Sequence, residues 1–155
     1  MSDFYRPKGF SSAVCYVDPK AAFRWLEEAF GFEPLMVILD ENDNIAHSEM
    51  KYGDSVVMIG NEWSADHKSP KSLGGKNTQT VHVQHARGED IDRHCEHARK
   101  AGAEIMQEPS TQFYGDRTYR ARDAEGHIWT FGVTVEEVGP EAWDKASGLK
   151  TQTRL

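Results

Sequence analysis

The segment DPKAAFRWLEEAFG, residues 18–31, carries the start and stop signals of a complete amphipathic helix. Asp18 can cap the free backbone N–H groups of the first turn, and a proline at the first helical position loses no hydrogen bond. Apolar residues then recur at helical spacing, and Gly31 supplies a left-handed C-terminal cap. The apolar run AVCYV at residues 13–17 precedes the helix and predicts a buried strand.

A second segment, EDIDRHCEHARKAG at residues 89–102, repeats this pattern. Glu89 or Asp90 opens the helix, and apolar residues again lie on one face. The short run at residues 81–83 precedes it as a predicted strand. Both helices end at a glycine, and they begin 71 positions apart (residue 18 against residue 89). The chain is therefore predicted to contain an internal repeat that begins with a strand and a helix.

Three strands are predicted after each helix, separated by polar turns. In the first half they cover residues 33–39, 45–52 and 55–59, and in the second half residues 103–107, 117–122 and 127–133. The order is β-α-β-β-β twice. This order predicts an α+β fold of two tandem βαβββ modules.

The repeat divides the chain into five parts. We expect an N-terminal arm (1–9), a first module (10–60), a polar linker (61–77), a second module (78–133) and a C-terminal tail with a short helix (134–155). One helix cannot cover both faces of its sheet, so the two modules are expected to pair. The eight strands would then form a curved mixed sheet around a concavity, which is the default ligand site.

Composition and charge exclude several classes of function. The chain has 155 residues, 38% of them hydrophobic, which suits one domain or two small packed modules. Its net charge of −7 argues against a nucleic-acid partner, because phosphate binding needs a basic surface. No run of about 18 apolar residues is present, so we expect no membrane span.

The cysteines and the N-terminus favour a cytoplasmic protein. The first ten residues, MSDFYRPKGF, lack the apolar stretch of a secretory signal. Cys15 and Cys95 lie far apart, without the CxxC spacing of a zinc knuckle or a redox motif. We expect both to be small hydrophobic residues of the core.

Two stretches resemble a known signature. YGDR at residues 114–117, followed by RDAEGHIWTF at 122–131, is similar to the pattern YGDR…DPxGHxWxF, with Ala124 in place of the usual proline. AHSEMKYGD at 46–54 is similar to HAELRxGD. On these residues the chain resembles the PhnB-like branch of the glyoxalase/bleomycin-resistance/dioxygenase (vicinal oxygen chelate, VOC) superfamily. The resemblance covers residues 10–133.

The resemblance implies a fold and a small-molecule partner, but no single reaction. The superfamily includes glyoxalase I, extradiol dioxygenases, epimerases, thiol transferases and proteins that sequester antibiotics. The resemblance also implies a homodimer. Function resides in the site and not in the fold, so the site residues have to be considered one at a time.

Metal-dependent members hold a divalent cation through His or Glu at four strand positions. Carried over one at a time, these positions correspond to Ser11, to His82, to Thr130, and to one of Val57, Met58 or Ile59. Only the imidazole is a usual ligand, and a single imidazole does not hold a hard or borderline ion. We therefore expect no metal at the family site and assign no other cofactor.

A displaced metal site around His47, Glu49 and His82 is the alternative. His47 and Glu49 are two residues apart on a predicted strand, so their side chains lie on the same face. On the concave face they could combine with His82 to bind Zn, Ni, Mn or Fe. Otherwise the pair lies on a solvated face.

Further side chains have alternative roles. Arg117 is either a clamp for an anionic group of a ligand or the partner of Asp116 or Asp123 in a structural pair. Tyr114 and Phe113 either form an aromatic lid or plug the end of the sheet. His127 is either a general base or bonded to nearby backbone or carboxylate.

Alternation and helical spacing give two more expectations. Thr130 is expected to face the concavity, while Trp129 and Phe131 on the same strand face the helix-packed core. His94 and His97 are expected on a solvated helix face, because charged residues surround them.

Three hypotheses of function follow. We favour a protein that binds a small organic molecule in the concavity without the family metal; its pocket candidates are Ser11, Met58, His82, Tyr114, Arg117 and Thr130. The second is a metal-dependent lyase, isomerase or dioxygenase that uses the displaced site. The third is a structural or regulatory dimer with a filled cavity. No catalytic residue is assigned.

Overall fold

The structure, a computed structural model, describes residues 7–155 and contains two modules with the same order of elements. The first module consists of β1 (Ser12–Tyr16), α1 (Pro19–Phe30), β2 (Glu33–Leu39), β3 (Ile45–Tyr52) and β4 (Ser55–Asn61). The second consists of β5 (Val81–Gln84), α2 (Ile91–Lys100), β6 (Glu104–Thr111), β7 (Asp116–Arg122) and β8 (Ile128–Thr134). A third helix, α3 (Pro140–Ser147), follows in the tail. Most of the N-terminal arm expected at residues 1–9 lies outside the described residues.

Each module forms its own four-stranded mixed sheet. The strand orders are β1-β4-β3-β2 and β5-β8-β7-β6, and the first pair in each order is parallel. The predicted α+β class and the two tandem modules are therefore confirmed. The eight strands form two four-stranded sheets. Within the part of the chain that the structure describes, β1 and β5 are edge strands, and neither pairs with a strand of the other module.

The helix boundaries follow the capping residues. The Asp18 side chain accepts a hydrogen bond from the backbone N–H of Ala21 at 3.1 Å, and Gly31 adopts a left-handed φ of 73°. In the second module, Asp90 caps α2 by accepting from the N–H of Arg93 at 3.0 Å. Asp90, and not Glu89, is thus the helix cap.

One hydrophobic core is shared by both modules. Leu26 and Phe30 of α1 are buried together with Trp129 and Phe131 of β8, and all four are at most 1% exposed. Thr130 lies on the opposite face of β8, as the alternation predicts. Burying a large apolar side chain is worth about 1.5–3 kcal/mol, so this cluster contributes strongly to holding the modules together.

Three histidines of the second module bind backbone carbonyls of the first. The acceptors are Phe30 O for His94 (2.9 Å), Glu28 O for His97 (2.7 Å) and Cys15 O for His127 (2.6 Å). The solvated face predicted for His94 is therefore wrong, because its ring is half-buried where α2 packs against α1. His97 is exposed, as predicted, although its ring also binds a carbonyl of α1. For His127, the bond to backbone is the alternative that the structure favours.

The linker contains a short 3₁₀ helix, Pro70–Leu73, and is fastened to both modules. Glu125 of the second module accepts hydrogen bonds from the backbone N–H groups of Val17 and Asp18 and from Ser69 Oγ in the linker. No helix within residues 7–155 is long and apolar enough to cross a membrane.

Candidate functional site

Each sheet has one face packed against the helices and one open face that points away from them. In the second sheet, backbone pairing places His82 beside Thr130, and Thr130 beside Arg120. A parallel row contains Gln84, Gly132 and Thr118. The open face of the second sheet is therefore polar, and we call these two rows the polar face.

The open face of the first sheet has a different chemistry. The row equivalent to His82–Thr130–Arg120 contains Ala13, Met58 and Glu49. Met36 lies beside Glu49 on β2 and is half-buried. Small and thioether side chains therefore occupy the centre of this face. Two polar pairs flank them, His47 with Glu49 and Lys51 with Glu33.

The pairing identifies the four strand positions at which metal-dependent relatives are expected to hold an ion. Val57 and Ile59 belong to the helix-packed face, which leaves Met58 as the position on β4. Ala13 pairs with Met58 as His82 pairs with Thr130. Ser11 is exposed and precedes β1. Counting the same number of residues back from each helix cap selected Ser11 and not Ala13. The count failed because the connection between β5 and α2 is longer than that between β1 and α1.

The side chains at these four positions do not fit a catalytic divalent ion. They offer a methyl group, a thioether, one imidazole and one hydroxyl, and the sites of such ions are built from several imidazole, carboxylate or thiolate groups. Thr130 Oγ1 moreover accepts a hydrogen bond from Arg120 Nε at 3.2 Å, which places a cation beside it.

The displaced set does not come together within the chain. His47 Nε2 and Glu49 Oε1 are 2.8 Å apart, and the Glu49 side chain is only 1% exposed, so this pair is not simply solvated. Within residues 7–155, the one group of three metal-binding side chains whose ligand atoms lie within 4.8 Å of one another consists of Cys95, Glu96 and Glu108. His82 is therefore not gathered with the His47–Glu49 pair.

The Cys95 group already holds a cation of the chain itself. Arg99 donates to Glu96 at 3.2 Å and to Glu108 at 2.6 Å. Burial raises the pKa of the Cys95 thiol to about 11, which disfavours the thiolate that a metal would need. This group is best described as a surface ion-pair network.

A pocket of about 280 Å³ opens where β5 approaches the first sheet, and we call it the seam pocket. Phe32 and Trp129, both almost fully buried, reach it from the core. Valines of β4 and β5 form its apolar walls, and His82 and Gln84 contribute imidazole and amide groups from the polar face. Its lining residues are Phe10, Ser12, Phe32, Tyr52, Ser55, Val56, Val57, Val81, His82, Val83, Gln84 and Trp129.

A larger pocket of about 770 Å³, the tail pocket, lies between the β6–β7 turn and α3. Phe113 and Tyr114 of the turn and Trp143 of α3 are its aromatic residues. Gly115 has a left-handed φ of 95°, and a Cβ there would collide with the backbone carbonyl of Glu136, so the turn and the tail require glycine at this position.

Arg117 is not part of either pocket. Its Nε and Nη2 each donate to the Asp92 carboxylate of α2 at 2.7 Å, a bidentate pair on the helix side of β7. This pairing lowers the pKa of Asp92 and raises that of Arg117. The expected partners Asp116 and Asp123 are wrong, because Arg117 lies on the same face of the sheet as the helix.

A partly buried group of polar contacts in the second module, joined to the first through Tyr52, was not predicted. His85 Nδ1 lies 2.6 Å from Glu89 Oε2 and 2.7 Å from Tyr52 OH, and His94 Nδ1 lies 2.6 Å from Tyr119 OH. Burial lowers the pKa of His85 and raises the pKa of Tyr119. The only signal in the sequence is that His85 follows a strand and Glu89 precedes a helix.

The six predicted pocket residues are thus dispersed. His82 lines the seam pocket, with Thr130 beside it, and Tyr114 lines the tail pocket. Met58 lies on the open face of the first sheet, Ser11 precedes β1, and Arg117 faces α2.

Known proteins share this architecture. The family described as "Glyoxalase/Bleomycin resistance protein/Dioxygenase superfamily" matches residues 11–131. An uncharacterized protein of Mycobacterium bovis is 26% identical over 125 residues, which are 78% of this chain and 80% of that protein. The crystal structure of TioX from Micromonospora sp. ML1 aligns with a TM-score of 0.63 and 28% identity, over 82% of this chain and 98% of that one.

A more distant structure has a stated ligand class. TnmS3, described as an antibiotic binding protein from Streptomyces sp. CB03234, aligns with a TM-score of 0.58 over 80% of this chain and 93% of its own. At 16% identity this likeness shows the fold alone.

Proposed function

The chain belongs to the Glyoxalase/Bleomycin resistance protein/Dioxygenase superfamily, and from this premise we propose that it binds a small organic molecule without the usual family metal. The observation that carries the proposal is the set of side chains at the four strand positions, Ala13, Met58, His82 and Thr130. These cannot complete a divalent-ion site, yet His82 borders the seam pocket. The protein retains a place for a ligand while lacking the donors for the metal.

The seam pocket supports binding of a compound with an apolar body. Valine and aromatic side chains provide apolar surface for such a body. Polar groups that could orient it come from Ser12, Tyr52, Ser55, His82 and Gln84. Binding of an antibiotic, as the description of TnmS3 states for that protein, is one form of this function. Membership of the PhnB-like branch and a cytoplasmic location are part of the same proposal.

The metal content tests the first half of the proposal. Protein purified without chelator should contain far less than one equivalent of Zn, Ni, Mn or Fe by elemental analysis. Near-stoichiometric metal would overturn the metal-free function. If that metal disappeared in a His47→Ala variant, the alternative would gain support: a metal-dependent lyase, isomerase or dioxygenase around His47, Glu49 and His82. The 2.8 Å contact between His47 and Glu49 is the observation in its favour.

A compound screen tests the second half. Aromatic or cationic compounds that bind only the folded state should raise the melting temperature. Val57→Phe places a ring at the wall of the seam pocket and should abolish the shift for compounds bound there. Val135→Phe adds the same ring at an exposed position after β8 outside the seam pocket, and it should leave the shift intact. An equal loss in both variants would argue against the seam pocket.

A homodimer completes the proposal. Val37, Ile38 and Leu39 are three consecutive apolar residues of the edge strand β2, and each is 45–47% exposed. Exposed apolar edge strands favour pairing with another chain. Light scattering after gel filtration should give twice the mass of the 155-residue chain, and Ile38→Lys should shift the mass toward one chain. A single-chain mass for the unsubstituted protein would reject the dimer.

A further inference from the structure

A chain of hydrogen bonds on the polar face determines which way the Gln84 amide points. The Asp116 carboxylate can only accept, so the atom of Gln84 that lies 3.2 Å from Asp116 Oδ2 must be the donating Nε2. The same nitrogen lies 3.3 Å from Thr134 Oγ1. The other atom of the amide, Oε1, therefore faces away from Asp116.

The orientation of Gln84 in turn determines the tautomer of His82. Gln84 Oε1 lies 2.8 Å from His82 Nε2, and a carbonyl oxygen can only accept. The proton of the neutral imidazole must therefore reside on Nε2. This leaves Nδ1 of His82 with a lone pair, and within residues 7–155 no hydrogen-bond partner is recorded for it.

Gly132 provides the space that this arrangement needs. It lies between Gln84 and Thr118 in the sheet, and a Cβ at this position would come within 3.3 Å of both Gln84 Oε1 and His82 Cε1. A larger residue at position 132 would press against the side chains of Gln84 and His82 where the two contact each other. The backbone of β8 thus allows the two side chains to lie flat over it.

We propose that Asp116 and Gln84 hold His82 as a hydrogen-bond acceptor for the ligand, which therefore carries an N–H or O–H donor on an apolar ring. The inference rests on the proposed small-molecule function and specifies its ligand class. His82 borders the seam pocket, whose valine and aromatic walls fit the ring. The neighbouring Arg120 already donates a hydrogen bond to Thr130 Oγ1.

The tautomer can be measured without any ligand. Nitrogen-15 NMR of the full chain, at a pH where His82 is neutral, should show the His82 proton on Nε2. Asp116→Asn removes the group that forces the Gln84 orientation, since an amide can donate as well as accept, and the Nε2–H form should lose its dominance. Thr134→Val removes the second acceptor of Gln84 but keeps Asp116, so the tautomer should not change. A dominant Nδ1–H form in the unsubstituted protein would overturn the proposal.

Ligand preference is tested with two probes of the same shape, indole and benzofuran. Indole has an N–H donor and benzofuran has none. Indole should bind more tightly, by roughly 3- to 10-fold, because a hydrogen bond is worth about 0.5–1.5 kcal/mol and tenfold in affinity corresponds to about 1.4 kcal/mol. His82→Leu, which keeps the bulk but lacks the acceptor, should remove this preference, and Thr134→Val should retain it.

The outcomes separate the two proposals. If both probes bind and benzofuran equals or exceeds indole, the acceptor role of His82 is wrong while small-molecule binding stands. If neither probe nor any compound of the screen binds, although the Nε2–H tautomer is observed, the proposed function fails and this ligand class fails with it. Equal indole preference in the unsubstituted protein and in His82→Leu would also reject the role of His82.

Discussion

The two modules have the same topology, but their open faces have different chemistry. Ala13, Met58 and Glu49 form a row in the first sheet, and His82, Thr130 and Arg120 form the equivalent row in the second. On the helix-packed side, by contrast, both modules place large apolar residues. The two modules therefore differ in the side chains of their open faces and resemble each other in those of their helix-packed faces.

This difference shows which positions carry the fold and which can carry function. Ile59 and Phe131 occupy equivalent positions facing the helices, and each is fully buried. A polar residue there would need a partner inside the core, which strongly restricts substitution. The open faces are less restricted, although the nearly buried Glu49 there is paired with His47. Hydrogen-bonding groups and apolar surface can therefore differ between the modules without changing the architecture.

The turns between the last two strands differ in the same way. In the second module, Asp123 is 7% exposed and its carboxylate accepts from Tyr16 OH at 2.6 Å and from Trp129 Nε1 at 3.0 Å. The backbone N–H groups of Glu125 and His127 are two further donors. In the first module, Asp54 lies in the equivalent turn and is exposed. Within residues 7–155, hydrogen bonds of the second turn join the modules, and the Asp54 side chain makes no such bond.

The largest predicted effect contrasts these two aspartates. Asp123→Ala leaves the hydroxyl of Tyr16 and the indole N–H of Trp129 buried without acceptors, and it should lower the free energy of unfolding by about 3–5 kcal/mol. Asp54→Ala should change it by no more than about 0.5 kcal/mol. Urea unfolding of both variants measures the difference. Equal losses in the free energy of unfolding would mean that the two turns contribute equally to stability.

The next effect concerns the histidines that join α2 to α1. His94→Leu removes the partner of Tyr119 OH, which is fully buried, and of Phe30 O, and it should lower the free energy of unfolding by about 2–3 kcal/mol. His97 binds only Glu28 O at the surface, so His97→Leu should cost about 0.5–1 kcal/mol. Chemical unfolding of the two variants under the same conditions is the comparison, and a larger loss for His97→Leu would contradict the described packing.

Stability should depend on pH through the second module. Burial holds the pKa of His85 and of His94 below the ordinary histidine value of 6.5. The unfolded chain therefore binds more protons than the folded one as the pH falls below 6.5. The contribution of these two histidines to the free energy of unfolding is fully present above that pH. It is lost on acidification, with a slope of up to about 1.4 kcal/mol per pH unit for each group.

The pH experiment has a matched control. Between about pH 7 and 5.5 the free energy of unfolding should fall, because burial makes both histidines resist protonation in the folded protein. A His94→Leu variant should show a shallower dependence, because one of the two groups is gone. Val37→Ala, at an exposed position of β2 without a titratable side chain, should keep the original slope, and a slope that is equally reduced in both variants would assign the effect elsewhere.

The sequence predicted the architecture because its signals are local and periodic. Asp18 and Gly31 cap the first helix as expected, and the alternation around Thr130 correctly separates the core face of β8 from its open face. The site was harder to predict because it depends on pairing between strands. The position of Ala13 opposite Met58 follows from backbone register, and counting from a helix cap cannot supply it.

Contacts between the modules were likewise beyond the sequence. Arg117 binds Asp92, which is 25 residues away on a helix, and His94 reaches a carbonyl that is 64 residues away. Charged residues surround His94 in sequence, and this local composition indicated a solvated face. For Arg117, the expected partners were the nearby Asp116 and Asp123. The packing of α2 against both α1 and its own sheet brings His94 to Phe30 O and Asp92 to Arg117.

The smallest effect tests the turn that distinguishes the second module. The N–H of Gly126 donates to Asp123 O at 3.0 Å, which places Ala124 at the second position of a four-residue turn, where proline is favoured. Ala124 is exposed, and no hydrogen bond is recorded for its N–H. Ala124→Pro should raise the free energy of unfolding by about 0.4–1 kcal/mol by restricting the unfolded chain. Ala124→Gly should lower it by a similar amount, and a loss of stability in the proline variant would show that the buried Asp123 carboxylate requires a backbone geometry that proline cannot adopt.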